Sequence, residues 1–203
     1  MNRPLVVQPA TLQDAAQIAA LHDHSWQAIY AHVLPIGDVR SHLVEAHVKL
    51  WRDRLMRADD PALRIWKACP DATDGPLAGF VCALSGADGI LLDNLHVAPA
   101  WQGRGIGRAL FARARDWARV LDSNAALYLW TLAQNVKARR FYERLGGVAG
   151  TVHPIAISPG IEVPALRYVW RPERRDATQR TAIRKARNVR DDARGRAPLE
   201  GHA

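Results

Sequence analysis

One segment constrains the fold of this chain more than any other: a glycine-rich loop between an apolar strand pattern and a helical pattern. The loop spans residues 102–108 and reads Gln-Gly-Arg-Gly-Ile-Gly-Arg. The first turn of a helix has unpaired amides and a partial positive charge, so such a junction binds phosphate well. Glycines let the backbone approach phosphate oxygens closely, and Arg104 and Arg108 add positive charge. The segment therefore predicts a strand–loop–helix unit that binds a phosphate-bearing ligand.

Two common phosphate-binding motifs do not match this loop. The dinucleotide fingerprint G-x-G-x-x-G agrees at Gly103 and Gly105 but requires glycine where Arg108 stands, and the P-loop sequence G-x-x-x-x-G-K-[ST] is absent. A glycine cluster before a helix also occurs as a purely structural loop. The loop alone therefore leaves the ligand open.

Hydrophobic periodicity divides the chain into one strand, two helices, three strands, a helix, a strand, a helix and two strands. The predicted strands are 5–8, 63–69, 77–85, 89–97, 125–132, 147–155 and 163–170, and the predicted helices are 12 to beyond 22, 44–56, 105–118 and 136–145. A capping box, Thr11 to Asp14, marks the first helix start. Turn-rich separators predict that strands two to four form an antiparallel meander. The expected apolar stripe of the third helix is Ile106, Leu110, Ala114, Trp117 and Leu121.

The positive charge of the chain is concentrated at its C-terminal end. The 203 residues carry a net charge of +8, and residues 171–203 contain ten Lys or Arg and five Asp or Glu, so this part contributes +5. Periodicity ends after Trp170. We therefore expect one globular domain over residues 1–170 and a basic, disordered tail over residues 171–203. Because the charge belongs mostly to the tail, nucleic-acid binding by the folded part is weakly supported.

Several protein classes are disfavoured by the composition. No apolar run approaches the ~18 residues that a membrane-spanning helix requires, and the apolar run of residues 5–7 is too short for a signal peptide. Cys69 and Cys82 are too few for a disulfide framework or a zinc site. The eight histidines show no spacing typical of a metal site. We expect a cytoplasmic protein with neither membrane nor metal partner.

A second motif follows the loop at residues 135–146, where the sequence reads Asn-Val-Lys-Ala-Arg-Arg-Phe-Tyr-Glu-Arg-Leu-Gly. Together, the Gln-x-x-Gly-x-Gly pattern that begins at Gln102, Asn135 and the short helix after it resemble the acetyl-CoA signature of the GNAT N-acetyltransferases. Gly147 stands where this superfamily usually has an aromatic residue. The element order also matches the family fold, and the resemblance covers roughly residues 5–170.

The resemblance implies an α/β (α+β) GNAT fold with acetyl-CoA as cosubstrate and no metal. Its central sheet is mixed but mostly antiparallel, with about seven strands and about four flanking helices, and it splays between strands four and five. Backbone groups at Leu95 and Val97 would bind the pantetheine arm and polarise the thioester carbonyl. The implied cofactor-binding positions are Leu95, His96, Val97, Gln102, Gly103, Arg104, Gly105, Ile106, Gly107, Arg108, Asn135, Ala138 and Tyr142.

The resemblance also implies that Tyr142 is the general acid that protonates the departing thiolate. Tyr142 and Phe141 could instead be a core pair. The attacking amine must be neutral although a lysine-like amine has a pKa of about 10.4, and the family places an acidic or histidine base on the fourth strand. Asp93 is the carboxylate there, and strict alternation puts it on one face with Leu91 and Leu95. It is our candidate base, with a structural carboxylate as the alternative, and His96 is expected to point the other way.

The acceptor is expected to be a primary amine on a small molecule or a peptide. Trp26 and Tyr30 lie at i and i+4, so they could face a cationic amine or pack in the core. Two other functions stay open: a GNAT-fold module that binds acyl-CoA without turnover, and nucleic-acid binding through the basic tail. The sequence also leaves open whether the chain is a monomer or a homodimer.

Overall fold

The computed structural model describes residues 5–30, 39–70, 75–158 and 161–172. Within these residues the strands are β1 (Leu5–Pro9), β2 (Leu63–Pro70), β3 (Gly79–Gly86), β4 (Gly89–Val97), β5 (Leu127–Leu132), β6 (Val148–Ser158) and β7 (Ile161–Trp170). The α-helices are α1 (Ala15–Tyr30), α2 (Val39–Met56), α3 (Ile106–Leu121) and α4 (Val136–Arg144), and short 3-10 turns span Leu12–Asp14 and Pro99–Trp101. The predicted order of elements is confirmed.

The seven strands form one sheet in the order β1-β2-β3-β4-β5-β7-β6. Strands β1 to β4 are an antiparallel meander, as predicted. The β4–β5 pair is parallel, while β5–β7 and β6–β7 are antiparallel. The sheet is therefore mixed but mostly antiparallel, and β7 lies between β5 and β6.

Each face of the sheet carries its own core. One core joins α3 and α4 to strand residues such as Ile90 and Leu129, and we call this side the α3/α4 face. The other core joins α1 and α2 to residues of β2 and β3 such as Phe80, and we call this side the α1/α2 face. Trp51 of α2 is completely buried in the second core. A strand side chain therefore points to helices α3 and α4, to helices α1 and α2, or to solvent.

Two details of the predicted helices differ from the structure. Helix α2 begins at Val39, five residues before its predicted start. Leu121 is 40% exposed although it belongs to the predicted stripe of α3, because it is the last residue of the helix. Phe111 and Ala118 are buried in that helix, so its buried face is wider than the predicted stripe.

The described residues belong to one compact unit that spans Met1–Pro172. Apart from its first two residues, the tail expected from Arg171 lies outside the described part, and it stays a prediction. Within the described part, no helix has both the length and the apolarity needed to cross a bilayer.

The packing of Trp170 explains why Gly147 replaces the usual aromatic residue of the family pattern. A Cβ added at Gly147 would lie 2.5 Å from Cζ2 of Trp170, which no real contact allows. The indole Nε1 of Trp170 donates a hydrogen bond to the carbonyl of Leu145 at 2.9 Å. Trp170 therefore fills, from β7, the space that a side chain at position 147 would need.

Candidate functional site

Strand β4 contains a β-bulge at Asp93. In its pairing with β3, Asn94 lies opposite Cys82 and Leu92 lies opposite Ala83, so Asp93 is the extra residue. A bulge leaves one residue outside the ladder and bends the strand. The bulge thus lies within the segment where the sequence places the candidate base.

The bulge reverses the alternation of side chains along β4. Ile90 and Leu92 pack in the core of the α3/α4 face, and beyond the bulge Leu95 and Val97 pack against that same core. Even-numbered residues face α3 before the bulge, and odd-numbered residues face it afterwards. A strict two-residue period therefore fails at Asp93.

The predicted alternation consequently holds from Leu91 to Asp93 and is wrong for Leu95 and His96. Asp93 bonds to Arg54 of α2, so its side chain lies on the α1/α2 face, opposite to Leu95. The His96 ring lies 5.3 Å from that of Phe80 and 5.2 Å from that of His22, on this same face. The extra residue in the bulge brings Asp93 and His96 to one side of the sheet.

Beyond the bulge, β4 has an open edge. Strand β5 pairs with β4 only at Ile90 and Leu91, so the splay predicted between strands four and five is confirmed. The Ala98 amide donates toward β3 at 2.9 Å. Because backbone direction alternates in an antiparallel pair, the N–H and C=O groups of Leu95 and Val97 point to the open side. Those of His96 point into the β3–β4 ladder, which leaves its backbone unavailable to a ligand in the splay.

The glycine loop opens α3 as the sequence predicts. Gly103 and Gly105 have φ angles of 77° and 80°, in the left-handed region that favours glycine, and Gly105 is the N-cap of α3. A Cβ at either position would meet no atom within 4 Å. At Gly107, by contrast, a Cβ would lie 3.1 Å from the Phe141 ring. The first two glycines therefore border open space at the helix start, and the third permits close packing of α3 on α4.

The side chains of the loop differ in what they can contact. Gln102 donates to the Val97 carbonyl at 3.0 Å and accepts a hydrogen bond from Lys137, so it joins the end of β4 to α4. Arg104 is exposed and its guanidinium lies 4.8 Å from the Trp101 ring centroid. Arg108 is exposed as well, whereas Ile106 is buried and offers only its backbone.

Asn135 begins α4 as its N-cap. Its side-chain oxygen accepts a hydrogen bond from the Ala138 amide at 3.1 Å, which satisfies one of the free donors of the first turn. Its amide nitrogen stays available for a further partner. Asn135 and Ala138, two of the positions predicted to bind cofactor, are therefore in contact, and the Ala138 amide is already used by the cap.

Tyr142 lies on the α3/α4 face with its ring buried. It is 8% exposed, and its ring contacts those of Phe141, Tyr168 and Trp170 at centroid distances of 5.2, 5.9 and 6.0 Å. Its hydroxyl makes no hydrogen bond to another described residue. Burial raises the pKa of the Tyr142 phenol well above its ordinary value of about 10. The phenol therefore keeps its proton and has it free to donate.

Asp93 is paired rather than isolated. Its Oδ2 accepts from Arg54 Nη1 at 2.7 Å and from Asn94 Nδ2 at 3.0 Å. Arg54 in turn contacts Cys82 Sγ and lies over the Trp51 ring. Both bonds use the same carboxylate oxygen, so Oδ1 of Asp93 has no partner among the described residues.

A cluster of three histidines, which sequence reasoning missed, lies beside Asp93 on the α1/α2 face. The ring centroid of His22 lies 4.1 Å from that of His47 and 5.2 Å from that of His96, and Trp51 Nε1 donates to His22 Nδ1 at 3.1 Å. Burial and the neighbouring histidines lower the pKa of His22 to about 3 and that of His96 to about 4. Burial also lowers the pKa of His47, against the raising effect of Asp23. All three rings are therefore neutral at physiological pH.

Trp26 is half-buried, and its ring lies 6.3 Å from that of His47. It thus belongs to the α1–α2 contact beside the histidine cluster. Tyr30 ends α1, and its side chain lies outside the described part. The proximity of His22 and His47 gave no sequence signal, because it depends on how α1 and α2 cross. Within the described residues, no group of three or more metal-binding side chains is arranged to hold an ion.

Comparison with known proteins places this geometry in a family. Residues 25–147 match the model of the acetyltransferase (GNAT) family. The chain is 38% identical over 77 residues to streptothricin acetyltransferase of Streptomyces lavendulae, a match that covers 36% of this chain and 39% of that protein. It is 37% identical over 78 residues to N-alpha-acetyltransferase 40 of Saccharomyces cerevisiae, covering 36% of this chain and 27% of that protein. The match thus spans at most about two fifths of either relative.

The fold is shared with solved structures over more of the chain. The PaiA N-acetyltransferase from Thermoplasma acidophilum, solved in complex with coenzyme A, superimposes with a TM-score of 0.64 at 17% identity, covering 82% of this chain and 99% of that one. At this identity the likeness concerns the fold. The family model, which spans more than half of the chain, gives the assignment: the chain belongs to the acetyltransferase (GNAT) family.

Proposed function

We propose that this chain transfers an acetyl group from acetyl-CoA to a primary amine by direct attack in a ternary complex. The observation that carries the proposal is the open edge of β4 at Leu95 and Val97, followed within eight residues by the helix-opening glycine loop. An open strand edge suits an extended arm with amide groups, and the loop suits a pyrophosphate. The two features are arranged in the order in which acetyl-CoA would need them.

The glycine loop supplies the electrostatic part of cosubstrate binding. Open space at Gly103 and Gly105 leaves room for phosphate oxygens against the amides at the start of α3. Arg104 is held over Trp101 and Arg108 is exposed, so each can add a charge-assisted hydrogen bond. Asn135, whose amide nitrogen bonds to no described residue, would bind the cosubstrate from the α4 side of the splay.

Two groups would act on the thioester. An amide on the open edge of β4, at Leu95 or Val97, donates to the carbonyl oxygen as negative charge develops there. Tyr142 donates its proton to the thiolate as the carbon–sulfur bond breaks. Its hydroxyl bonds to no described residue, which supports this role, since a phenol with a backbone partner would be less available.

Asp93 is the proposed aid to amine deprotonation, acting through its unpartnered Oδ1. Its position at the bulge puts it on the α1/α2 face next to the splay. His96 shares that face, and its ring lies against those of Phe80 and His22. The ion pair with Arg54 holds the Asp93 carboxylate in place.

The proposed function is tested by detecting free thiol from acetyl-CoA in the presence of a panel of primary amines. Thiol release that depends on both acetyl-CoA and an amine, with the acetylated amine identified by mass spectrometry, is the expected result. Tight acetyl-CoA binding without acetylation of any amine or peptide N-terminus in the panel would instead favour a non-catalytic acyl-CoA-binding module.

Asp93→Asn should lower kcat/KM mainly at lower pH, where most of the amine is protonated, and should leave acetyl-CoA affinity nearly intact. The physical reason is that a base matters most when the acceptor cannot supply a neutral amine by itself. The measurement is a pH–rate profile of the variant against the parent, with acetyl-CoA affinity determined by calorimetry.

Arg54→Gln serves as the control because it removes the ion pair and keeps the carboxylate. If Asp93 is the base, Arg54→Gln should keep the kcat/KM at lower pH that Asp93→Asn loses. Equal losses in both variants, with the same pH dependence, would mean that the pair only holds β4 and α2 together. Melting temperatures of the two variants identify any general loss of folding.

A further inference from the structure

Arg167 of β7 carries a positive charge that no carboxylate of the described residues neutralises. Its guanidinium carbon lies 3.9 Å from the ring centroid of Tyr128 on β5. Its Nε is buried and has no hydrogen-bond partner. None of the ion pairs between described residues includes Arg167. A half-buried cation with a buried, unsatisfied donor is costly unless it meets an anion.

The register of the sheet places this cation at the splay. Tyr128 lies opposite Leu91, the last residue of β4 that pairs with β5, and Arg167 lies opposite Trp130. Leu127 and Leu129 pack on the α3/α4 face, so Tyr128, Trp130 and Arg167 lie on the other face of the sheet. This is the side on which Asp93 lies. The guanidinium is therefore beside the point where β4 and β5 separate.

Stacking on a ring is not by itself a ligand signal, as other arginines of the chain illustrate. Arg54 also lies over a ring, that of Trp51, but its charge is used by Asp93 at 2.7 Å. Arg104 lies over Trp101, has no carboxylate partner among the residues that the structure describes, and belongs to the loop proposed to bind pyrophosphate. Arg167 resembles Arg104 in being stacked and unpaired next to an open part of the site.

We propose that Arg167 binds a carboxylate of the acceptor, and that the acceptor is an ω-amino carboxylate. The proposal rests on the proposed function of the site. Trp130 is 38% exposed and stands beside Arg167 with its ring 6.1 Å from that of His153, so it offers apolar surface to a methylene chain. A planar guanidinium held on a ring is suited to bidentate binding of a carboxylate.

The length of the acceptor follows from the strand. The guanidinium is level with Leu91, whereas the first open-edge amide beyond the bulge is at Leu95. On β3, Leu91 and Leu95 lie opposite Leu84 and Val81, which are three residues apart, so the rise along the strand is about 10 Å. Two hydrogen-bond contacts of about 3 Å each leave at least about 4 Å between amine and carboxylate. The α-amine of an amino acid, two bonds from its carboxylate, does not span that gap, and 6-aminohexanoate does.

The test measures binding of 6-aminohexanoate and of hexylamine to the full-length protein saturated with CoA, by calorimetry. Because this experiment needs no turnover, a failure to acetylate any amine would reject the proposed function and still leave the binding comparison readable. The parent should bind 6-aminohexanoate about tenfold more tightly than hexylamine, because one charge-assisted pair contributes about that much affinity. Glycine, the short analogue, should bind more weakly than 6-aminohexanoate.

Arg167→Gln should lower the affinity for 6-aminohexanoate about tenfold, so that 6-aminohexanoate no longer binds more tightly than hexylamine. Arg113→Gln is the matched control, since Arg113 lies over the Trp66 ring on the α3/α4 face, and it should retain the parental preference. Arg167→Lys keeps the charge without the planar fork and should show an intermediate preference, which gives a second measurement if the glutamine variant does not fold.

Three results would overturn the proposal. Equal affinity of the parent for the two amines, or no binding of either, would mean that no carboxylate is recognised. Equal losses for both ligands in Arg167→Gln would make Arg167 a structural residue of the β5–β7 pair. A loss of CoA affinity in Arg167→Gln would mean that Arg167 contacts the cosubstrate instead.

Discussion

Tyr142→Phe should lower kcat about 100- to 10,000-fold, the effect expected when one general acid is removed. The ring stays in place, so its contacts with Phe141, Tyr168 and Trp170 survive, and acetyl-CoA affinity should change little. Single-turnover kinetics, which isolate the chemical step, are the measurement. An unchanged rate with chemistry shown to be limiting would assign Tyr142 to the core alone. A parallel loss of acetyl-CoA binding would make the hydroxyl a binding group.

Tyr168→Phe is the matched control for this change. Tyr168 lies next to Tyr142 in the same core and also has a phenol, which donates to Glu143 at 2.8 Å. Its removal should cost some stability and little turnover. If both variants lost turnover equally, the common cause would be altered packing around α4 rather than a missing proton.

The pH dependence of turnover is a second test of Tyr142 as the general acid. Burial raises the pKa of Tyr142 above 10, so the protonated, donating form extends to higher pH than for a phenol in water. Any loss of activity that reflects ionisation of Tyr142 should therefore begin only above about pH 10. An alkaline decline centred near pH 8 in the parent, absent from Tyr142→Phe, would contradict the raised pKa.

Gly105→Asp should weaken acetyl-CoA binding by roughly 100-fold, and Gly105→Asn should weaken it far less. Aspartate and asparagine both tolerate the left-handed conformation better than most other residues do. A Cβ at Gly105 meets no atom within 4 Å. The two variants therefore differ mainly in charge. A carboxylate about 4 Å from a phosphate charge costs on the order of 4 kcal/mol near a protein surface before screening.

Calorimetry at low and high salt separates the two contributions, because screening weakens the charge effect and not the steric effect. Gly86→Asp adds the same charge at the β3–β4 turn, where a Cβ also meets nothing within 4 Å, and should leave affinity unchanged. Equal affinities of Gly105→Asp and Gly105→Asn would remove the pyrophosphate from this end of α3.

Local patterns predicted much of what the structure contains. The glycine loop, its helix and the capping box at Thr11 all appear where the sequence places them, because each depends on contacts between residues close in the chain. The boundaries of β4 agree residue for residue with the prediction. The element order then limited the sheet to few topologies, and the antiparallel meander followed from the short turns between its strands.

The arrangement of the site depends on contacts that no local pattern encodes. A single extra residue at Asp93 turns the side chains of the second half of β4 to the opposite faces, and alternation read from the sequence cannot detect it. The ion pair of Asp93 joins residues 39 positions apart.

The sequence by itself determined the order of elements and the glycine-rich start of α3, which arise from short-range backbone preferences and hydrophobic period. Its two motifs gave the resemblance to the family. Only the tertiary structure decided which side chains share a face at the splay. The histidine cluster, the pairing of Asp93 and the unpaired guanidinium of Arg167 each depend on how separate elements pack. Burial and distance set the pKa values and the charge balance of such groups, and these quantities exist only once the chain has folded.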